Sequence, residues 1–351
     1  MSNKTNPGNF FEDFSLGQEI VHATPRTLGE GDVSLYTALY GTRFVVHSSD
    51  MFAMALGYEG APVDDMLAFH VVFGKTVPDI SLNAVANLGY AAGRFGVPVY
   101  PGDTLRSTSK VIGLKENSNG RTGVVYVHSM GANQREEPVL DYVRWVMVKK
   151  RDAGSSAPEP VVPELPAFVA DEDLIVPDGL EMAGFDTMLA GSAMLWEDYQ
   201  AGEKIDHIDG MTIEESDHMI ATRLYQNTAK VHFNQHTEKD GRFARRIVYG
   251  GHVISLARSL SFNGLANAFK IVAINAGSHV APTFAGDTIY AWSEVLGKSE
   301  ISGRDDIGAL RLRMIASKDQ SCEAFPYKGE DGKYEPSVVL DFDYTVLMPR
   351  R

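Results

Sequence analysis

The chain repeats itself. Shifted by 185 positions, the first half lays a long series of identities on the second. Glu12 and Asp13 fall on Glu197 and Asp198, and Gly17, Ile20 and His22 on Gly202, Ile205 and His207. Thr27, Glu30 and Asp32 meet Thr212, Glu215 and Asp217, while Tyr40, Val46, His47 and Val63 meet Tyr225, Val231, His232 and Val248. Farther on the offset becomes 184, where Pro98 to Leu105 (PVYPGDTL) matches Pro282 to Ile289 (PTFAGDTI). A period this long exceeds any solenoid unit and reads as duplication of a whole domain. Whatever fold one half takes, the other is constrained to take as well.

Each half predicts the same elements. An aromatic-acidic opening (FFEDF, LWEDY) leads to Thr27-x-x-Glu30 or Thr212-x-x-Glu215, a capping-box spacing that predicts a helix ending near Tyr40 or Tyr225. A histidine loop follows, then a longer apolar helix. In the first half that helix is expected from Asp64 to Phe73, with Asp64 and Asp65 as N-caps and Gly74 as C-cap. In the second half Val253, Ile254, Ala257 and Leu260 share one helical face, and the run ends near Gly264. The pattern then alternates, as in Leu310-Arg-Leu312-Arg-Met314 and Leu340-Asp-Phe342-Asp-Tyr344, which predicts half-buried strands. One long helix against one antiparallel sheet, twice over, is an α+β layout. The expected division is a first unit at 1–151, a linker and connecting segment at 152–195 rich in Pro, Ser and Ala at its start, and a second unit at 196–351. Residues 166–195 and 322–336 have no counterpart in the repeat, and the Gly, Lys and Glu content of the latter predicts an exposed loop.

Composition narrows the function classes. A content of 44% hydrophobic and 22% charged residues is that of a globular protein, and the net charge of −14 argues against nucleic acid as main partner. Cys322 is the single cysteine, which rules out intrachain disulfides and cysteine-cluster metal sites. The opening MSNKTNPGNFFEDF has no apolar signal region and no long apolar run follows, so a cytoplasmic protein without membrane partners is expected.

The chemistry gathers between 225 and 265. His232 lies in a polar loop, and Gly250 and Gly251 precede the second apolar helix. Glycines at a helix start leave N–H groups open to a ligand in the positive field of the helix dipole. Together with a histidine of near-neutral pKa they suit a reaction passing through an oxyanion. Each residue also has a plainer reading. His232 suits a structural loop histidine, Asn227 a loop cap, the glycines close packing, and Tyr249 and His252 a core. Lys230, Arg245 and Arg246 suit exposed basic positions as well as anion partners. His22 and His207 read as packing.

These residues resemble the MaoC-like, (R)-specific enoyl-CoA hydratase family, whose unit is the hot-dog fold. The likeness rests on Tyr225-Gln-Asn-Thr-Ala-Lys-Val-His232-Phe-Asn234, on Val248-Tyr-Gly-Gly-His252 and on Pro282-x-x-x-Gly-Asp-Thr-Ile289, with weaker copies around His47, Val63 and Pro98. It covers most of both halves. The strings NPGNFFEDF, FGKTVPDISLNAVANLGYAAGRFG and QNTAKVHFN narrow it to a branch that reversibly hydrates 2-methylfumaryl-CoA to β-methylmalyl-CoA without metal or organic cofactor. The resemblance implies a tandem double hot-dog, an acyl-CoA substrate and a homodimer or higher oligomer. It implies His232 as acid and base, Asn227 positioning water, and Gly250 and Gly251 as oxyanion donors. Lys230, Tyr249, Arg246 and His252 are the residues expected to bind substrate.

This sequence departs from the family pattern at definite positions. The family's aspartate five residues before the histidine is Asn227 here and Thr42 in the first half, its aspartate two residues after is Asn234, and the helix-start glycine is Asp65 in the first half. The working site is therefore expected in the second half, with the first supplying an acyl or CoA tunnel. A hot-dog thioesterase and a non-catalytic acyl-CoA-binding protein are the competing readings.

Overall fold

The computed structural model describes residues 4–351. Ten antiparallel strands form one sheet: β1 (Glu19–Thr27), β2 (Ala84–Phe95), β3 (Thr104–Glu116), β4 (Thr122–Ala132), β5 (Pro138–Lys149), β6 (Lys204–Thr212), β7 (Lys270–His279), β8 (Thr288–Glu300), β9 (Ile307–Lys318) and β10 (Val338–Pro349). Their order is β1-β3-β4-β5-β2-β7-β10-β9-β8-β6. Each half thus runs first, third, fourth, fifth, second from its own edge, and the halves join where β2 pairs with β7, Tyr90 opposite Gly277. The helices are α1 (Glu30–Tyr40), α2 (Val45–Ser48), α3 (Asp50–Ala55), α4 (Asp65–Thr76), α5 (Thr187–Ala190), α6 (Glu215–Leu224), α7 (Lys230–Phe233), α8 (Gln235–Glu238), α9 (Gly250–Leu260) and α10 (Phe262–Leu265). Among the described residues no helix is long and apolar enough to cross a membrane.

The duplicated positions do duplicated work. His22 bonds Ser109 at 2.8 Å at one edge of the sheet, and His207 bonds Ser293 at 2.9 Å at the other. Tyr40 and Tyr225 meet directly, hydroxyl to hydroxyl at 2.6 Å. One core spans both halves, drawing Met66 and Phe69 from α4, Val253, Ile254 and Ala257 from α9, and Leu310, Leu312 and Met314 from β9.

Several local expectations are corrected. The Thr-x-x-Glu boxes do not form: the Thr27 and Thr212 side chains pair with Thr104 and Thr288 at 2.7 and 2.8 Å across the sheet. Gly29 precedes α1 instead, its N–H donating to the Asp32 carboxylate at 2.9 Å. Asp64 does cap α4, accepting the Met66 N–H at 2.9 Å, but Asp65 turns its carboxylate to Lys270. Gly74 does not end α4, which continues to Thr76. A Cβ at Gly74 would lie 1.8 Å from the Tyr225 carbonyl oxygen, so the glycine serves close approach of the other half's chain. The one-sided apolar face read for α9 is likewise too narrow. All of α4 and every residue of α9 after Gly250 are buried, because each helix is covered by sheet, loops and the other half.

The segments outside the repeat are now placed. Leu180, Met182 and Ala190 pack with Phe52, Ala53 and Leu56 of the first half and Phe269 and Val272 of the second, so the connecting segment lies across both. The 322–336 loop is exposed only in part: Cys322 is buried, and Phe325 and Tyr327 stack edge-on against Trp292, whose indole N–H donates to the Pro326 carbonyl at 3.0 Å.

Candidate active site

His232 sits in α7, a single helical turn rather than an irregular loop, and its Nδ1 lies 2.9 Å from the Ile247 carbonyl. A carbonyl only accepts, so Nδ1 carries the hydrogen and Nε2 presents its lone pair. The first half repeats the device, with His47 Nδ1 at 3.0 Å from the Pro62 carbonyl. His232 is buried against the Tyr249 ring, 5.7 Å between centroids. Burial pushes its pKa down to about 4, with the Ile247 bond opposing and nearby His218 adding a smaller push downward. The near-neutral value expected from sequence is therefore corrected: this imidazole is neutral at pH 7 and is a proton acceptor there.

The backbone places the helix start beside it. Ile247 holds His232, Tyr249 is the N-cap of α9, and Gly250 and Gly251 are its first two residues. The His252 N–H turns back to the Tyr249 carbonyl at 2.9 Å. A Cβ on Gly250 would lie 2.3 Å from the His279 ring, and one on Gly251 would meet the Tyr249 and His70 rings at 2.3 and 2.5 Å. The two glycines thus admit aromatic rings against the helix start, and Gly250 stays partly accessible.

The other expected residues divide. Asn227 is buried, and its Oδ1 accepts the Ala229 N–H at 3.1 Å, holding the loop that enters α7. Lys230 is exposed at the start of α7. Arg246 pairs with Glu215 and donates to the Phe233 carbonyl at 3.3 Å, which ties α6 to the segment carrying His232. Arg245 lies over the Phe284 ring at 3.8 Å. Tyr249 faces His232 but sends its hydroxyl toward His70 Nδ1 at 3.4 Å. His252 lies deeper, its Nδ1 2.8 Å from the Tyr40 hydroxyl.

Sequence reasoning missed His70 and His279. His70 Nε2 meets the Ser255 hydroxyl at 2.9 Å, and His279 Nε2 meets the Tyr90 hydroxyl at 3.1 Å; both contacts cross between the halves. Burial pushes their pKa values down to about 3 and about 4. The available signal for His279 is that the 184 offset places it on Phe95, an aromatic position turned to imidazole in one half only.

The mirror position is closed by charge. Where the second half has Gly250, the first has Asp65, whose carboxylate accepts Lys270 Nζ at 2.9 Å and the Ile271 N–H at 2.8 Å. The same carboxylate lies 3.8 Å from His47 Nε2. One half sets a histidine beside a bare helix start, and the other sets it beside a buried ion pair.

Two units of one helix-and-sheet fold in one chain, each with an anchored histidine near the start of its buried helix, make a double hot-dog. A crystal structure of a MaoC domain protein from Chloroflexus aurantiacus superposes with a TM-score of 0.98 at 68% identity, covering 100% of both chains. The profile of the family described as mesaconyl-CoA hydratase matches residues 2–330. The β-methylmalyl-CoA dehydratase of Chloroflexus aurantiacus is 69% identical over 351 residues, 100% of each chain. The mesaconyl-CoA hydratase of Cereibacter sphaeroides is 61% identical over 347 residues, 99% of this chain and 100% of that one. The chain belongs to the mesaconyl-CoA hydratase family and is an enzyme of the hydro-lyase type.

Proposed function

We propose that this chain reversibly hydrates 2-methylfumaryl-CoA (mesaconyl-CoA) to β-methylmalyl-CoA at the second-half site. The full-length likeness to relatives named for these two compounds supports the reaction. The observation that carries the site is the contrast between Gly250 and Asp65 at equivalent positions: Asp65 lies 3.8 Å from the anchored His47, whereas Gly250 brings no carboxylate to the helix start whose N-cap, Tyr249, packs against the anchored His232. Neutral His232 takes a proton from water at Nε2 as the water oxygen bonds to Cβ of the substrate. The C=C electron pair moves onto the thioester oxygen, and the N–H groups of Gly250 and Gly251 stabilise that enolate. The enolate collapses as protonated His232 returns a proton to Cα, which leaves the thioester intact. Asn227 holds the loop through the Ala229 N–H, and its neutral amide serves to position the water without adding a second negative charge near a dicarboxylic substrate. The first half supplies walls, with His70 and Gly74 of α4 closing on the second-half loop.

The test is a spectrophotometric assay of wild type, His232→Ala and His47→Ala with 2-methylfumaryl-CoA and a thiol reagent. Loss of enoyl-thioester absorbance without free thiol, abolished in His232→Ala and kept in His47→Ala, is the expected result. Release of free CoA, or a dependence on His47 instead, overturns it.

A further inference from the structure

Among the described residues three lysines are buried: Lys75, Lys150 and Lys270. Two of them have carboxylate partners, Glu116 for Lys150 and Asp65 for Lys270. Lys75, in the last turn of α4, is 3% exposed, and among the described residues its ammonium bonds only the neutral amide oxygen of Gln226, at 2.6 Å. Gln226 is held there with a backbone φ of 54°, a conformation that side-chain-bearing residues seldom adopt. A buried cation without an anion is costly, and the cost shows: burial first, then the charge of Arg26, pushes the Lys75 pKa down to about 8. Such a group persists where an anion is supplied from outside.

A cavity of ≈ 330 Å³ opens at this lysine, lined by Lys75, Arg223, Gln226, Thr228, Thr24 and Phe233. It flanks the catalytic segment, since Phe233 follows His232 and Thr228 follows Asn227. The repeat shows that it belongs to one half alone. The counterpart of Lys75 is Leu260, that of Gln226 is Gly41, and that of Thr228 is Arg43, whose guanidinium lies over Phe262 at 4.4 Å. The unpaired cation therefore stands only on the side where the helix start is bare.

We propose that Lys75, with Arg223 at the rim of the same cavity, is the receptor for an oxyanion of the acyl-CoA substrate. The inference rests on the reaction proposed above and adds the group that meets its negative charge. Two sources share this chemistry, the free carboxylate of the acyl group and the phosphates of CoA, and the experiment separates them. Lys75→Leu, the residue of the mirror position, and Arg223→Ala are compared with wild type for KM with 2-methylfumaryl-CoA and for inhibition by free CoA.

Loss of a charge-assisted contact raises KM by about ten- to a hundredfold in Lys75→Leu and less in Arg223→Ala. A KM rise with an unchanged CoA inhibition constant assigns the acyl carboxylate, and a parallel rise in both assigns a phosphate. Both constants unchanged in a variant that melts like wild type overturns the proposal. Should Lys75→Leu not fold, the exposed Arg223→Ala decides, and its constants equalling wild type is the overturning result. A wild type inert toward 2-methylfumaryl-CoA would instead sink the reaction reading, while direct binding of 2-methylfumaryl-CoA and of free CoA to wild type and Lys75→Leu still tests the anion site, equal affinities in the two proteins overturning it.

Discussion

Lys270→Met tests the account of the first half most directly. Lys270 opens β7 at 4% exposure, and its ammonium neutralises Asp65, itself 7% exposed, at 2.9 Å. The substitution keeps length and apolar volume but leaves the carboxylate with the Ile271 N–H as its remaining backbone donor. Breaking a buried pair in this way costs about 3–5 kcal/mol. For 351 residues, an unfolding entropy of about 2.1 cal/mol/K per residue makes each kcal/mol worth about 1.4 °C, so Tm should fall by about 4–7 °C. The double variant Asp65→Asn with Lys270→Met should regain most of this, since a neutral isosteric pair removes the uncompensated charge. Calorimetry on the three proteins gives the stability arm, and hydration of 2-methylfumaryl-CoA below the transition gives the functional arm. Activity should stay within about twofold of wild type, because the proposed chemistry lies in the other half. A Lys270→Met protein that melts like wild type would refute the buried pair. A folded but inactive one would refute the assignment of the working site.

His232→Gln should lower kcat by about 10²–10⁴-fold at unchanged Tm, whereas His47→Gln should keep its activity; equal losses in the two would erase the asymmetry. His70, His207, His232 and His252 are buried and His279 is half-buried, with pKa values pushed from 6.5 to between about 3 and about 4. The unfolded chain takes up these protons near pH 6.5 and the folded one only near pH 4, so stability is lost as pH falls through that window, by about 2 kcal/mol per histidine at pH 5. A Tm that is flat from pH 7 to pH 5 would contradict it. Gly250→Ala should destabilise and slow hydration, although alanine is the better helix former by about 1 kcal/mol, because its Cβ would stand 2.3 Å from the His279 ring; a more stable, fully active variant refutes the close approach. Asn227→Asp should raise KM for the dicarboxylic substrate by placing a second carboxylate beside it, and unchanged kinetics would count against that role.

Much of this molecule is written locally. The 185-residue repeat implies two copies of one unit, and period-two runs such as Leu310 to Met314 become strands with alternate residues buried. His232 and the glycine pair stand out because a turn, an imidazole and a helix start each have a chemistry that adjacent residues reveal. Thr27 looks like a helix cap by the same local rule, yet the strand facing it claims its hydroxyl. Gly74 looks like a helix end, but Tyr225 of the other half needs the space. The contacts that make the two halves unequal join residues far apart in the chain: Asp65 with Lys270, Gln226 with Lys75, Tyr90 with His279. Sequence by itself determined the duplicated α+β unit and the candidate histidine, since periodicity and turn chemistry act over a few residues. Only the tertiary structure decided that Asp65 is neutralised by Lys270 and that Lys75 is left without a carboxylate. Those outcomes depend on what packing brings within about 3 Å, where burial sets the cost of a charge and hydrogen bonding offsets it.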